Sequence, residues 1–362
     1  MEFGLFVMPI HPPEKPWQQV MKEDTATITL ADELGIHEAW IGEHHTLRTE
    51  PITAPDLFIA NLFARTKKIK LGTGVILLQL HHPIMLAHRI AVLDHLGQGR
   101  FNFGIGTGGM PTEFELFGIP EPERHARAAE VMDVVMKIWQ SDGNFEYKGQ
   151  FFNITAPNPK PELGVYLHMK PYTQPHPPIA VAAGSPNSPT ATYAGLKNWI
   201  VMSSGIMHPG VLGTIWDAYL KGAQKAGNGS PSRKMWRVSR NIHVAENMKQ
   251  ARKEANEYGM RQCITKYAMG QFMANRGNLD VFKPSKDIPD SQITFDWLLD
   301  NTFIVGDPDY VYQRIADLYQ KMGGFGTLLF QLNGWDPPEV GQKSLSIFMK
   351  EVAPRLKNLS PS

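Results

Sequence analysis

Residues 38–45 read Glu-Ala-Trp-Ile-Gly-Glu-His-His, and this stretch sets how the rest of the chain is read. The short run Glu38-Ala39-Trp40-Ile41 is closed almost at once by an acid and two adjacent imidazoles, Glu43, His44 and His45. Apolar residues followed directly by titratable ones mark a parallel strand where it leaves a packed core and enters a site. Histidine titrates nearest to neutral pH, so a pair placed there accepts, donates or directs a proton. The plainer reading is one packed and one exposed histidine beside a structural glutamate. These few residues by themselves leave both readings open.

Working outward, strand-like and helix-like patterns alternate. Strands are expected over Phe3–Met8, Ala39–Ile41, Ile69–Leu78, Phe101–Ile105, Ile179–Ala183, Trp199–Met202, Val238–Val244 and Thr327–Gln331. Helices are expected over Trp17–Leu34 (stopped by Gly35), Ala54–Ala64, Met85–Leu96, Ala128–Trp139, Pro189–Leu196, Val211–Ala226, 310–322 and Gly341–Leu356. Strands that alternate with helices predict a parallel sheet with right-handed crossovers. A count of eight predicts closure into a single (β/α)8 TIM barrel spanning 1–362. Two segments break the alternation. Residues 141–178 hold the hairpin-like FEYKGQFFN and a proline-dense run ending HPPI, and 259–300 carries Tyr, Met, Phe and Trp without a clean period. They are expected to be insertions after helix 4 and helix 7 that act as lids or binding loops.

The 362 residues are 42% hydrophobic, enough for a sizeable core, and carry 36 basic against 35 acidic side chains. The net charge of +1, with no long block of one sign, points to neither nucleic acid nor a membrane surface as partner. Cys263 is the single cysteine, which excludes an intrachain disulfide and a thiolate metal cluster and fits a reducing, cytoplasmic location. The N-terminus, MEFGLFVMPIHPPEKP, is expected to be a first strand and not a signal peptide. No window approaches the roughly 18–20 uninterrupted apolar residues of a membrane span.

Three glycine-rich segments lie where strands end. Gly104-Ile105-Gly106-Thr107-Gly108-Gly109 formally matches GxGxxG, but Met110-Pro111-Thr112 delays the helix that a dinucleotide fold needs. It reads better as a loop whose backbone N–H groups approach a flat ring or a phosphate. Tight-turn glycines without a ligand are the alternative. In Ala182-Ala183-Gly184-Ser185-Pro186, Gly184 and Ser185 offer N–H groups and a hydroxyl to a phosphate at a helix start. Glycine within Gly72-Thr73-Gly74-Val75 marks a bulge or the close approach of a ligand. Metal binding is disfavoured: in His44-His45 and His81-His82 adjacent strand residues face opposite ways, and no HExxH or HxH pattern accompanies them. No GxSxG elbow marks a hydrolase.

EHH after strand two, LGTGVILLQLHHP on strand three, LDHLGQGRFNFGIGTG into strand four and VAAGSP at strand five follow in this order. Together they closely resemble the bacterial luciferase-like family of flavin-dependent monooxygenases, and PHPPI and GGFGTLL point to its limonene and diketocamphane oxygenase branch. The resemblance runs from Phe3 to about Gly118 and returns at 145–152, 177–185, 304–309 and 323–329, leaving 206–300 poorly covered.

The resemblance implies the same barrel and reduced FMN, supplied by a separate NAD(P)H flavin reductase, at its C-terminal mouth. It implies His44 as the catalytic acid or base and a non-proline cis peptide at Gly74-Val75; His82 is a further candidate in support of His44. The resemblance assigns Gly74, Val75, Gly106, Thr107, Gly184 and Ser185 to the cofactor. Thr107 stands where luciferase itself has a phosphate-binding arginine, a departure that leaves Gly184 and Ser185 as the implied phosphate anchor. The expected reaction oxygenates a small apolar substrate, a cyclic ketone or terpenoid, with O2. Phe6, Met8, Ile76, Met202 and Trp335 are expected to line the pocket. Deazaflavin-dependent hydride transfer and flavin binding without turnover are the alternatives. A homodimer is expected through the apolar second and third helices, with Leu57, Phe58, Leu62, Phe63, Met85, Ile90 and Leu93.

Overall fold

The computed structural model describes residues 1–8, 10–332 and 336–359. Among them a ring of parallel strands runs β1 Glu2–Val7, β2 Glu38–Ile41, β3 Lys70–Thr73, β4 Phe101–Gly106, β5 Ile179–Ala183, β6 Ile200–Ser203, β7 Trp236–Arg240 and β8 Thr327–Gln331. β8 pairs with β1 from Glu2 opposite Thr327 to Phe6 opposite Gln331, which closes the barrel. Outside it lie α1 Trp17–Glu33, α2 Pro55–Phe63, α3 Pro83–Gly97, α4 Arg124–Gln140, α5 Pro189–Lys197, α6 Pro209–Lys225, α7 Pro308–Lys321 and α8 Pro338–Ile347. Proline opens six of these, α2, α3 and α5 to α8. Its missing N–H falls where a helix start leaves N–H groups unpaired anyway. No helix among the described residues is long and apolar enough to cross a membrane.

One face of each strand feeds an apolar layer beneath the helices, with Leu5, Ile41, Phe103 and Leu328 against Ile59, Ile90 and Val135. The barrel interior is filled differently. Trp40, fully buried, occupies it together with Ala180, Met202 and Leu329. This ring accounts for glycines that the sequence alone ascribes to a bulge or a ligand. A Cβ on Gly72 would lie 2.6 Å from Trp40 Cε3, and one on Gly104 would lie 1.8 Å from the Thr73 carbonyl oxygen. At the N-terminal end of the barrel, Trp40 Nε1 donates to Glu38 Oε1 at 2.8 Å. Arg237 donates Nε to Oε1 and Nη2 to Oε2 of the same carboxylate, each at 3.1 Å. Burial pushes the Glu38 carboxyl up, but the charge and hydrogen bonds of Arg237 outweigh it and hold the group below the usual carboxylate range.

Strand three is shorter than its sequence pattern. After Thr73 the chain turns through a cis Gly74-Val75 peptide and resumes as Ile76–Leu77 beside β4. Across this break the alternation of faces slips by one residue. Val75 joins the interior cluster, and Ile76, expected in the substrate pocket, is sealed in the outer apolar layer. Strand seven likewise is shorter than its sequence pattern and ends at Arg240. Residues Ile242–Val244 pair instead with Ile304–Gly306 in a separate two-stranded sheet.

The first segment outside the alternation contains an antiparallel hairpin, Glu146–Lys148 with Asn153–Thr155. Its tip is clamped by Glu130 of α4, whose carboxylate accepts N–H groups of Gln150, Phe151 and Phe152 at 2.9, 3.0 and 2.7 Å. The second lies between the helix Met248–Glu257 and Ile304, ahead of α7 and not after it as expected, and builds its own apolar core with Phe282, Phe295 and Phe303. That core reaches the barrel mouth at Ile10 and Ile206, and Cys263 Sγ donates to the Ile10 carbonyl at 3.1 Å.

Candidate active site

The C-terminal end of β2 opens the site. Gly42 permits the turn, since a Cβ there would lie 2.9 Å from Met8 Cγ. Glu43 follows, only 2% exposed. Its Oε2 accepts the Leu77 N–H at 2.6 Å, and its Oε1 faces His45 Nε2 at 3.0 Å and His81 Nε2 at 2.8 Å. Burial pushes the Glu43 carboxyl up, but the hydrogen bonds of His45 and His81 and the charge of His81 outweigh it and hold the group at about 2. An ionised carboxylate only accepts, so both imidazoles donate to it. Glu43 thereby ties the loop after β2 to the segment that follows the cis turn.

His44 projects the other way. Its Nδ1 lies 3.1 Å from Glu113 Oε1, an oxygen that also accepts the His45 backbone N–H at 2.8 Å. Glu113, on the short helix Pro111–Leu116, is wholly buried. On the far side, His44 Nε2 lies 3.4 Å from Glu50 Oε2. Burial alone would lower the imidazole, but the charge of Glu50 and the hydrogen bond and charge of Glu113 raise it above the ordinary histidine value. A histidine so placed favours its protonated form more than a free imidazole does.

Beside Gly42 the segment after β3 comes close: a Cβ on Gly42 would lie 3.6 Å from the Gly74 carbonyl oxygen. Val75 lies over Gly106, where a Cβ would come within 2.6 Å of its Cγ2. The carbonyl of Thr107 accepts from Gln79 Nε2 at 3.0 Å. Gly184 is exposed, and a Cβ there would meet nothing within 4 Å. Ser185, half-buried, follows it in the loop that leads into α5. Phe6 and Met8 are half-buried at the end of β1. Met202 is buried inside the barrel beside Trp40, below the rim. Trp335 lies outside the described residues. His82 stands apart from the acid–histidine network, exposed at the start of α3 with its ring edge-on to Phe152 at 5.6 Å.

Sequence reasoning passed over Glu50, Glu113 and His81. Glu113 and Glu50 sit in polar, proline-containing loop sequence, PTEFEL and RTEPIT, where an acid ordinarily faces water. Nothing local marks them as buried.

Of the seven apolar side chains expected at a dimer surface, Phe58, Leu62, Phe63, Ile90 and Leu93 are consumed by the protomer's own core. Leu57 and Met85 remain exposed, joined by Val92 and Leu96 on the same face of α3 as Met85.

Comparison with known proteins shows the family of the chain. The family model described as luciferase-like monooxygenase matches residues 1–324. The 4-hydroxyprotoasukamycin monooxygenase of Streptomyces nodosus subsp. asukaensis is 30% identical over 98% of this chain and 92% of its own length. Limonene 1,2-monooxygenase of Rhodococcus erythropolis is 29% identical over 98% of this chain and 86% of its own. Among solved structures, the oxygenating constituent of 3,6-diketocamphane monooxygenase from Pseudomonas putida, a type II Baeyer–Villiger monooxygenase in complex with FMN, superposes with a TM-score of 0.90. It is 29% identical, with 98% of this chain and 99% of that one covered.

Proposed function

The chain belongs to the luciferase-like monooxygenase family, and on that premise we propose that it is the oxygenating half of a two-component system. It takes reduced FMN from a separate NAD(P)H-dependent reductase and, with O2, places one oxygen atom on a small apolar substrate, a cyclic ketone or a terpenoid. The observation that carries this reading is the glycine-rich turn at Gly74-Val75, packed against Gly42 and Gly106, at the strand end that also presents the His44–Glu113 pair. It fits a flavin: Gly74 and Gly106 carry no side chain there, and Gly184 offers bare backbone to open space. The names of the relatives support an apolar substrate, and the FMN of the diketocamphane enzyme supports the cofactor.

When bound, the reduced flavin supplies the electrons and activates O2. The chain's own residues do the rest. Gly74, Val75, Gly106 and Thr107 support the ring, and Gly184 and Ser185 offer N–H groups and a hydroxyl to the phosphate. His44 moves a proton at its imidazole. Phe6 and Met8 exclude water from the reacting atoms, with 141–178 and 259–300 as the outer walls. The single buried, unpaired thiol of Cys263 fits a cytoplasmic location.

Without a reductase, the purified chain is expected not to oxidise NAD(P)H at a useful rate, because the glycines at 104–109 lack the helix start that seats a pyrophosphate. Supplying prereduced FMN, O2 and a cyclic terpenoid ketone should yield oxygenated product. The measurement is NADH and oxygen consumption with and without an added reductase. Rapid NADH-dependent turnover by the chain alone overturns the two-component reading, and no oxygen uptake from prereduced FMN returns the choice to deazaflavin hydride transfer.

We also propose a homodimer, docked through Leu57, Met85, Val92 and Leu96. Light scattering at micromolar concentration should give twice the protomer mass, and Val92→Asp with Leu96→Asp should halve it. A monomer mass for the parent chain refutes the interface.

A further inference from the structure

Glu50 is the buried acid for which the proposed reaction has no task. It lies in the loop between β2 and α2, 7% exposed, and its Oε2 has no hydrogen-bond partner among the described residues. A carboxyl sealed in this way is costly unless a neighbour shares its charge or its proton. The neighbour is His44, whose Nε2 lies 3.4 Å away, close enough for charge to act without a hydrogen bond being formed. Val7, Met8, Gly42 and Ile52 wall the small void around the two side chains. The other ring nitrogen, Nδ1, is engaged by Glu113 at 3.1 Å. The imidazole stands between two buried carboxyls, one to each nitrogen, and only the imidazolium carries a hydrogen on both.

We propose that Glu50 is a positioning residue that keeps a proton on Nε2 of His44, so that His44 enters the reaction as an acid. This rests on the reading of His44 as the proton-transfer group of the site. The step is a proton transfer: the N–H bond at Nε2 breaks, an O–H bond forms on the oxygen being protonated, and neutral imidazole remains with its Nδ1–H on Glu113. Charges reach the pair from each surrounding element. Glu113 acts from the helix Pro111–Leu116 and Glu43 from the end of β2. The Cys263 thiol of the second insertion faces Glu50 from outside, with Lys15 and Asp336 beyond it. Burial raises the Glu50 carboxyl and opposes charge on His44, yet the facing carboxylates leave the imidazole raised.

The test is an NMR titration of the histidine rings in the flavin-free protein, with the His44 signal identified by its loss in His44→Asn. In the parent chain His44 should titrate above the ordinary histidine value, and in Glu50→Gln it should move to lower pH. With prereduced FMN, O2 and substrate, the alkaline limb of the rate profile should move the same way. Turnover above that limb should fall about tenfold, less than for complete loss of a general acid. Glu50→Asp, which keeps the charge, should restore part of both shifts. An unchanged His44 titration in Glu50→Gln overturns the proposal. A parent His44 that titrates at or below the ordinary value overturns it too, without recourse to any variant. If the titration moves but the rate profile does not, the role of Glu50 stands and the reading of His44 as the reacting acid falls.

Discussion

Turnover of the His44→Ala enzyme is expected to fall by about 10²–10⁴-fold, the range for loss of a general acid or base, while FMN still binds with nearly the parent affinity. The separation follows from where His44 sits. Its ring is held between Glu113 and Glu50 at the end of β2. The groups proposed to carry the flavin belong to the segment after β3 and the ends of β4 and β5. Removing the imidazole also leaves two buried carboxyls facing one cavity, and they are expected to relieve that repulsion by taking up a proton. Folding should therefore survive. The check pairs single-turnover kinetics from prereduced FMN with an equilibrium flavin titration. Oxidation at the parent rate would make His44 structural. Loss of flavin binding in proportion to turnover would make it part of the cofactor's support.

The largest effect on stability is expected far from the chemistry. Arg237→Met should lower unfolding stability by about 3–5 kcal/mol, because it strands a buried carboxylate. Glu38 is fully buried, and Arg237 supplies two of its hydrogen bonds, leaving only Trp40 Nε1–H among the described residues in the variant. Such a loss is a large share of the roughly 5–15 kcal/mol by which folded proteins exceed their unfolded chains. The sign with pH follows from the depressed Glu38 carboxyl. The stabilisation is fully present above the unfolded glutamate value and is lost as pH falls through the lower folded value. In denaturant titrations the parent and the variant should therefore differ most near neutrality and converge in acid. The double variant Glu38→Gln with Arg237→Met should recover much of the loss, since no buried charge is then left unpaired. Equal stability of parent and Arg237→Met would show that water reaches the Glu38 carboxylate.

The barrel was legible from local pattern. Each strand announces itself by a short apolar run and each helix by its longer period, and such patterns rest on contacts a few residues apart. The eighth strand, Thr327–Gln331, has the same bounds in the structure as in the sequence pattern. Gly35, where the first helix was expected to stop, has the positive φ of +79° that such a position asks of glycine. The ordered motifs from EHH to VAAGSP carried the family, and with it the cis peptide at Gly74-Val75.

Where pattern gave out, the deciding contact came from far along the chain. The slip of faces at Gly74-Val75 turned Ile76 away from the pocket, and a strict alternation of two cannot register a one-residue break. Gly72 and Gly104 answer to the bulk of Trp40 and the closeness of β3 to β4, neither of which is local to them. Of two adjacent histidines at 81 and 82, closure of the loop onto Glu43 engaged the first and left the second at the surface. By itself the sequence determined the strands, the helices, the family and a histidine at the mouth. Only the tertiary structure decided which acids surround that histidine. Glu113 is 69 residues away along the chain and reads as a surface acid until the barrel closes and removes the water around it.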